Sequence, residues 1–262
     1  MIKLIYIFKN IKKENNQMFE IKNLNKSFGT KKILIDINLT FKKGEVCGIL
    51  GNNGVGKTTL LKTIFNEHLP DSGEISLEGK KLEKSDFDKM FFFVESNEMP
   101  GNVSVEIYCK YIFNLLLRKD FPITEINDLK WLFDYNQFKK TKIKKLSAGQ
   151  RKMLSLLILF LIDSEIVFFD EPTANLDAEN KEVVIKVIQG LKLKGKTIII
   201  ITHLIEEIEL LLDRVIIIKK GEVVLNKPKK DIKDLVHTYH KTIDLNKSEK
   251  IEMIERYFNN EK

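Results

Sequence analysis

The chain has 262 residues, enough to bury a full core in one large domain or two small ones. A hydrophobic content of 43% with 31% charged residues is that of a soluble globular protein and excludes a disordered or fibrous one. The formal net charge of +7 comes from lysines scattered along the chain, while arginine, suited to bidentate phosphate and base contacts, is scarce; no nucleic-acid partner is expected.

No apolar run approaches the roughly 20 residues needed to span a bilayer. The nearest, residues 154–162, is broken by Asp163 and reads as a buried helix. The opening run from Met1 to Phe8 is apolar but short and lacks a small-residue cleavage site, so it does not read as a secretory signal. A well-patterned strand begins at Met18, which leaves both Met1 and Met18 open as the start. Cys47 and Cys109 stand in apolar contexts and read as buried thiols in a reducing cytosol.

Taken in order, Phe19, Ile21 and Leu24 open an edge-type strand, with Lys26-Ser27-Phe28-Gly29 at its end. Ile33, Ile35, Ile37, Leu39 and Phe41 then alternate with Leu34, Asp36, Asn38 and Thr40, which predicts antiparallel strands with one buried face. Residues 46–50 read as a buried strand, 60–65 as a helix, 70–73 as a turn, and 74–79 and 91–94 as further strands. From Val105 to Ile162 the pattern is helical, with Tyr108, Ile112, Leu115 and Leu116 on one stripe and Trp131, Leu132 and Phe138 on another. Strands at 166–169, 197–201 and 215–218 then alternate with helices at 179–193 and 205–212. Continuous apolar strands suit a parallel sheet covered on both faces. From Pro228 on the chain is Lys/Glu-rich and reads as helical. The predicted fold class is α/β: a phosphate-loop core with a mixed, mainly parallel sheet, an antiparallel β subdomain and an inserted helical subdomain.

Between the strand 46–50 and the helix 60–65 lies Gly51-Asn52-Asn53-Gly54-Val55-Gly56-Lys57-Thr58-Thr59, a phosphate-binding loop. Its glycines let successive N–H groups point inward at phosphate oxygens. Lys57 adds a point charge, the Thr58 hydroxyl can ligate Mg²⁺, and the following helix N-terminus adds partial positive charge. Downstream, four apolar residues, 166–169, run into Asp170 and Glu171. A buried strand ending in Asp can hold Mg²⁺ from the second side. Glu171, one step on, falls on the opposite face by strict alternation and can polarise a water against a γ-phosphate. Just before this strand, Leu146-Ser147-Ala148-Gly149-Gln150 opens an apolar helix, with Ser147 as a cap and small residues that admit an anion.

On these residues the chain resembles the ATP-binding subunit of an ABC transporter, whose signature Leu-Ser-Gly-Gly-Gln differs here only at Ala148. The resemblance covers residues 18–225, with 1–17 an N-terminal extension, a helical subdomain at about 95–163, and 226–262 a C-terminal tail. It implies that Phe28 stacks on adenine, that residues 51–59 are Walker A, that residues 166–170 are Walker B, and that Glu171 is the catalytic carboxylate. Ala174-Asn175-Leu176-Asp177 then matches the D-loop, and His203 the switch histidine at the γ-phosphate. The family has a Gln at a Mg²⁺ contact after the strand at 91–94. Here Val94-Glu95-Ser96-Asn97-Glu98 contains none, with Glu95 the first choice for the position and Ser96 the second.

The resemblance further implies a head-to-tail pair of chains sandwiching two ATP molecules with Mg²⁺, each ATP between one chain's Walker A and the other's 147–149 segment. The pair is a homodimer or includes a second ATPase subunit. It energises an integral membrane permease from the cytoplasmic face, and the short tail leans towards export of a drug, peptide or lipid. Two alternatives are a soluble ABC-type ATPase of DNA repair or translation and a phosphate-loop kinase. The first is disfavoured by the absence of heptads and of a second Walker A, the second by the signature run and Glu171.

Overall fold

The computed structural model describes residues 17–93, 99–117, 125–243 and 256–258. Ten strands among them form two sheets. The four-stranded sheet has the order β2-β1-β4-β5 and is antiparallel: β1 (Gln17–Phe28), β2 (Lys31–Lys42), β4 (Ser72–Leu77) and β5 (Lys80–Lys81). The six-stranded sheet runs β10-β9-β3-β8-β7-β6. It comprises β3 (Val46–Leu50), β6 (Met90–Phe93), β7 (Ile166–Asp170), β8 (Thr197–Thr202), β9 (Arg214–Lys219) and β10 (Glu222–Pro228). Only the edge strand β10 runs antiparallel in it. Every residue of β3, β7 and β8 is buried, the pattern of parallel strands covered on both faces.

Alternation along these strands divides the interior into two cores. On one face, Cys47, Ile49, Phe168, Ile199 and Ile201 pack with Phe19 and Phe41 of the antiparallel sheet and with Leu60, Leu61 and Ile64 of α1 (Lys57–Ile64). On the other, Val46, Leu50, Phe169, Ile198 and Ile200 pack under α2 (Val105–Leu117), α3 (Ala148–Ile162), α4 (Ala178–Leu193) and α5 (Leu235–Ile243). Phe168 joins the two sheets: its ring meets Phe19 at 5.9 Å and Phe65 at 5.2 Å, both edge-on. Burial pushes the Cys109 thiol up to about 12 and raises that of Cys47, so both are inert packing groups.

Three local readings change. In β2 the single buried face of Ile33, Ile35, Ile37, Leu39 and Phe41 is broken, because Leu34 is buried in place of Ile33 and Ile35. The pairs Leu24–Ile37 and Lys26–Leu34 set three steps on β2 against two on β1, a bulge at Asp36 with φ 47°. An Asp–Asn network makes that left-handed turn affordable: Asn23 Nδ2 donates to Asp36 Oδ1 at 2.9 Å and Asp36 N to Asn25 Oδ1 at 2.9 Å. In α2 the core stripe is Val105, Cys109 and Phe113, and Leu115 is exposed. The described residues between α2 and α3, 125–147, form short turns rather than continuous helix, one of them (Tyr135–Phe138) capped by Asp134. Trp131 stays exposed there, edge-on to Phe160 of α3 at 6.4 Å.

Residues 226–243 are part of the fold. β10 continues to Pro228, and Leu235, Tyr239 and Ile243 of α5 enter the main core. Lys219 Nζ donates to the Thr242 carbonyl at 2.8 Å, tying α5 to β9.

Since Phe168 packs against both sheets, Phe168→Ala should cost about 3–5 kcal/mol. Urea unfolding followed by circular dichroism should give a lower midpoint at an unchanged slope.

Candidate nucleotide site

The loop from β3 to α1 requires its glycines for identifiable reasons. A Cβ on Gly51 would lie 2.6 Å from the Ile218 carbonyl oxygen of β9. Gly56 has φ 111°, and a Cβ there would lie 2.8 Å from the Ile33 carbonyl oxygen. The bulge in β2 thus has a use, since it lays the start of that strand against the loop. α1 opens on Gly56 with no side-chain cap, which leaves first-turn N–H groups for an anion. The loop borders a cavity of about 660 Å³, whose far wall carries Asp170, Glu171, Asn175 and His203.

Lys57 is 6% exposed, and its ammonium donates to the carbonyls of Gly51 (2.6 Å) and Asn52 (3.1 Å). Burial pushes its pKa down, partly offset by the charges of Glu171 and Asp170. Thr58 Oγ1 donates to Asp170 Oδ2 at 3.1 Å. These two oxygens are the donor type a hard cation such as Mg²⁺ takes. Among the described residues no group of three or more His, Cys, Asp or Glu could hold a metal, so such an ion would complete its shell with phosphate and water.

Glu171 does not follow strict alternation. Its left-handed φ of 46° turns the chain back, so that Glu171 and Asp170 border the same cavity. Its carboxylate accepts from Thr202 Oγ1 at 2.8 Å and lies 2.7 Å from His203 Nδ1; that contact makes Nδ1 the donor when Glu171 is ionised. A carboxylate oriented by two donors beside a buried ammonium and a phosphate loop is the equipment for phosphoryl hydrolysis.

The sequence profile described as ABC transporter matches residues 34–174 of the chain. This chain belongs to the ABC transporter family. It is 30% identical over 229 residues to a xylose/arabinose import ATP-binding protein of Sulfolobus acidocaldarius, covering 82% of this chain and 90% of that one. It is 29% identical over 210 residues to a lantibiotic transport ATP-binding protein of Streptococcus pyogenes, covering 80% and 90%. A solved dimeric ATP-binding cassette in a post-hydrolysis state with ADP and Pi superposes with a TM-score of 0.71 at 25% identity, covering 81% of this chain and 99% of that one. The chain is therefore an ATP-binding, ATP-hydrolysing subunit of the ABC type.

The remaining ABC motifs fall into two groups. Asn53, Gly54, Gly56, Thr59, Ala174 and Asn175 border the cavity. The signature Leu146–Gln150 is outside that lining. There Ser147 Oγ accepts from Gln150 N at 3.1 Å and Gln150 Oε1 accepts from Ser147 N at 2.9 Å, a capping box on α3. Asp177 caps α4, accepting from Asn180 N at 2.8 Å. Phe28 stands half-exposed at the end of β1, edge-on to His68 at 5.2 Å and outside the cavity lining. Glu95 and Ser96 lie outside the described residues.

Three residues at the site had no signal in the motif reading. Thr202 is signalled only by its place beside His203. Tyr239 of α5 donates to Asn52 Oδ1 at 3.2 Å across 187 positions, and Lys152 of α3 reaches the turn after β7. The last two are contacts that only the fold brings about.

Lys57→Met should abolish the rise in melting temperature that ATP gives the wild-type chain. It should also change the pH dependence. A lysine whose folded pKa lies below its unfolded 10.5 weakens the fold at lower pH and ceases to do so as pH rises through that window. Unfolding without nucleotide should thus show wild type gaining on the variant as pH approaches 10.5.

Proposed function

We propose that this subunit powers a separate membrane permease, and that two chains close over two ATP molecules. The observation that carries this reading is the division of the motifs. The phosphate loop, Asp170, Glu171 and His203 share one cavity, while Ser147–Gly149 stands outside it on the end of α3. A signature segment that does not serve its own chain's cavity is suited to a partner's. That a solved cassette of this fold is dimeric with ADP and Pi bound supports a pairing of two chains.

In the closed pair, Lys57 exchanges its loop carbonyls for phosphate oxygens. Glu171, oriented by Thr202 and His203, takes the proton of the attacking water. Mg²⁺, held by Thr58 and Asp170, would neutralise charge on the outer phosphates. A homodimer then has two complete sites, and pairing with a second ATPase subunit has the same chemistry in each composite site. No described helix is long and apolar enough to cross a membrane. In this reading the translocation path belongs to the permease, with this chain at its cytoplasmic face.

For the cargo we propose outward transport of a drug, peptide or lipid, a reading supported by the likeness to a lantibiotic transport protein. Import is the second reading, favoured by the likeness to a xylose/arabinose import protein. In vesicles holding the co-purified permease with this chain on the outer face, ATP should drive accumulation inside for export and discharge for import.

Glu171→Gln should hold ATP and stop turnover, since an amide keeps the shape but cannot accept the proton, a loss of about 10²–10⁴-fold. Size-exclusion chromatography with ATP and Mg²⁺ should move the variant to a dimer. A variant that binds ATP and stays monomeric would remove the homodimer and leave a second ATPase subunit as the partner.

A further inference from the structure

Glu171 and Asn175 both hold left-handed backbone, with φ 46° and 60°. Neither is glycine, and each is strained unless its surroundings fix it. The turn between them is gripped by one side chain. Lys152, 2% exposed on α3, donates to the carbonyl oxygens of Glu171 at 2.7 Å, Pro172 at 2.9 Å and Ala174 at 2.8 Å. Three convergent acceptors match an ammonium, which has three donors on one point; an amide has two and a thioether none.

Lys152 stands five positions after Ser147, on the helix that the signature opens. The same helix also lies close to the residues just past the turn. A Cβ on Gly149 would lie 3.3 Å from Asn180 Nδ2 and 3.8 Å from the Leu176 side chain, just past Asn175. Asn180 in turn bonds Asp177, the cap of α4. α3 therefore holds the turn through Lys152 and lies close to the D-loop and the start of α4 at Gly149.

We propose that Lys152 is a positioning residue: it fixes the strained turn 171–175 to the signature helix, so that Glu171 is aimed only while α3 is in place. Whatever settles on the exposed end of α3 thereby bears on the carboxylate of the same chain. This deepens the reading of Glu171 as the base and rests on it. The side chain touches no reacting atom; it acts on backbone.

The test uses the full chain with Lys152→Met, Lys152→Gln and Glu171→Gln beside wild type. Turnover, KM, ATP affinity and binding stoichiometry by calorimetry, and melting temperature are measured for each. Lys152→Met should lose about 10- to 100-fold in kcat, as a misplaced group does, with one ATP still bound per chain and affinity within about twofold. Lys152→Gln, which keeps donors, should lose less. Should Lys152→Met not fold, Lys152→Gln carries the same split between kcat and affinity. Wild-type kcat in a folded Lys152 variant would overturn the proposal. So would a loss of stoichiometry in step with kcat, which means structural damage only. If Glu171→Gln itself kept wild-type turnover, the assignment of the base would fall instead.

Discussion

Leu50 of β3 pairs with Thr202 of β8, and Asp170 of β7 pairs with Ile201. In-register parallel pairing of three buried strands brings their carboxyl ends to one edge. The residues immediately beyond those ends are Gly51, Glu171 and His203, so the phosphate loop, the carboxylate and the histidine meet without any long side chain reaching across. The register is secured by burial on both faces, because a slip by one residue would exchange Phe168 and Phe169 between two differently shaped cores. The chemistry thus depends on packing several residues away from it.

That packing sustains groups that are unfavourable when considered alone. An ammonium at Lys57 is nearly buried between two carbonyls, with its charged form disfavoured. Glu171 holds a backbone angle that most residues avoid. Both are tolerable because rigid neighbours define them: β9 and β2 press on the loop at Gly51 and Gly56, and Lys152 with Thr202 fixes Glu171. A phosphate that replaces the loop carbonyls around Lys57 relieves part of the cost, so ligand affinity draws on a loop built tight in advance.

How much of this was legible in sequence follows from how local each feature is. The phosphate loop, the apolar strand ending in Asp170 and the cap at Ser147 are short stretches whose chemistry is complete within them, and each is where the sequence pattern puts it. The bulge at Asp36 was hidden because Ile33 and Ile35 continue the alternation by residue type. The register shift and the cross-strand bonds to Asn23 and Asn25 show that the strand has turned over. In α2, Leu115 is exposed against its expected burial, since the helix turns Val105, Cys109 and Phe113 to the core. Lys152 and Tyr239 act over 19 to 22 and 187 positions, and a lysine or tyrosine within a helix has no mark of such a partner.

Ser147 caps α3 in the free chain in a way that is compatible with the proposed closed pair. In the capping box its oxygen accepts from Gln150 N, which uses one lone pair. The hydroxyl hydrogen and the second lone pair are not consumed by that bond, so the same side chain can donate to an anion while the helix stays capped. Gln150 likewise accepts at Ser147 N through Oε1 and keeps its amide hydrogens. An arriving phosphate therefore need not break the cap, and it meets α3 at its positive end. In the proposed closed pair a helix that keeps its cap would pass a displacement of its first turn on to Lys152 rather than absorb it by fraying.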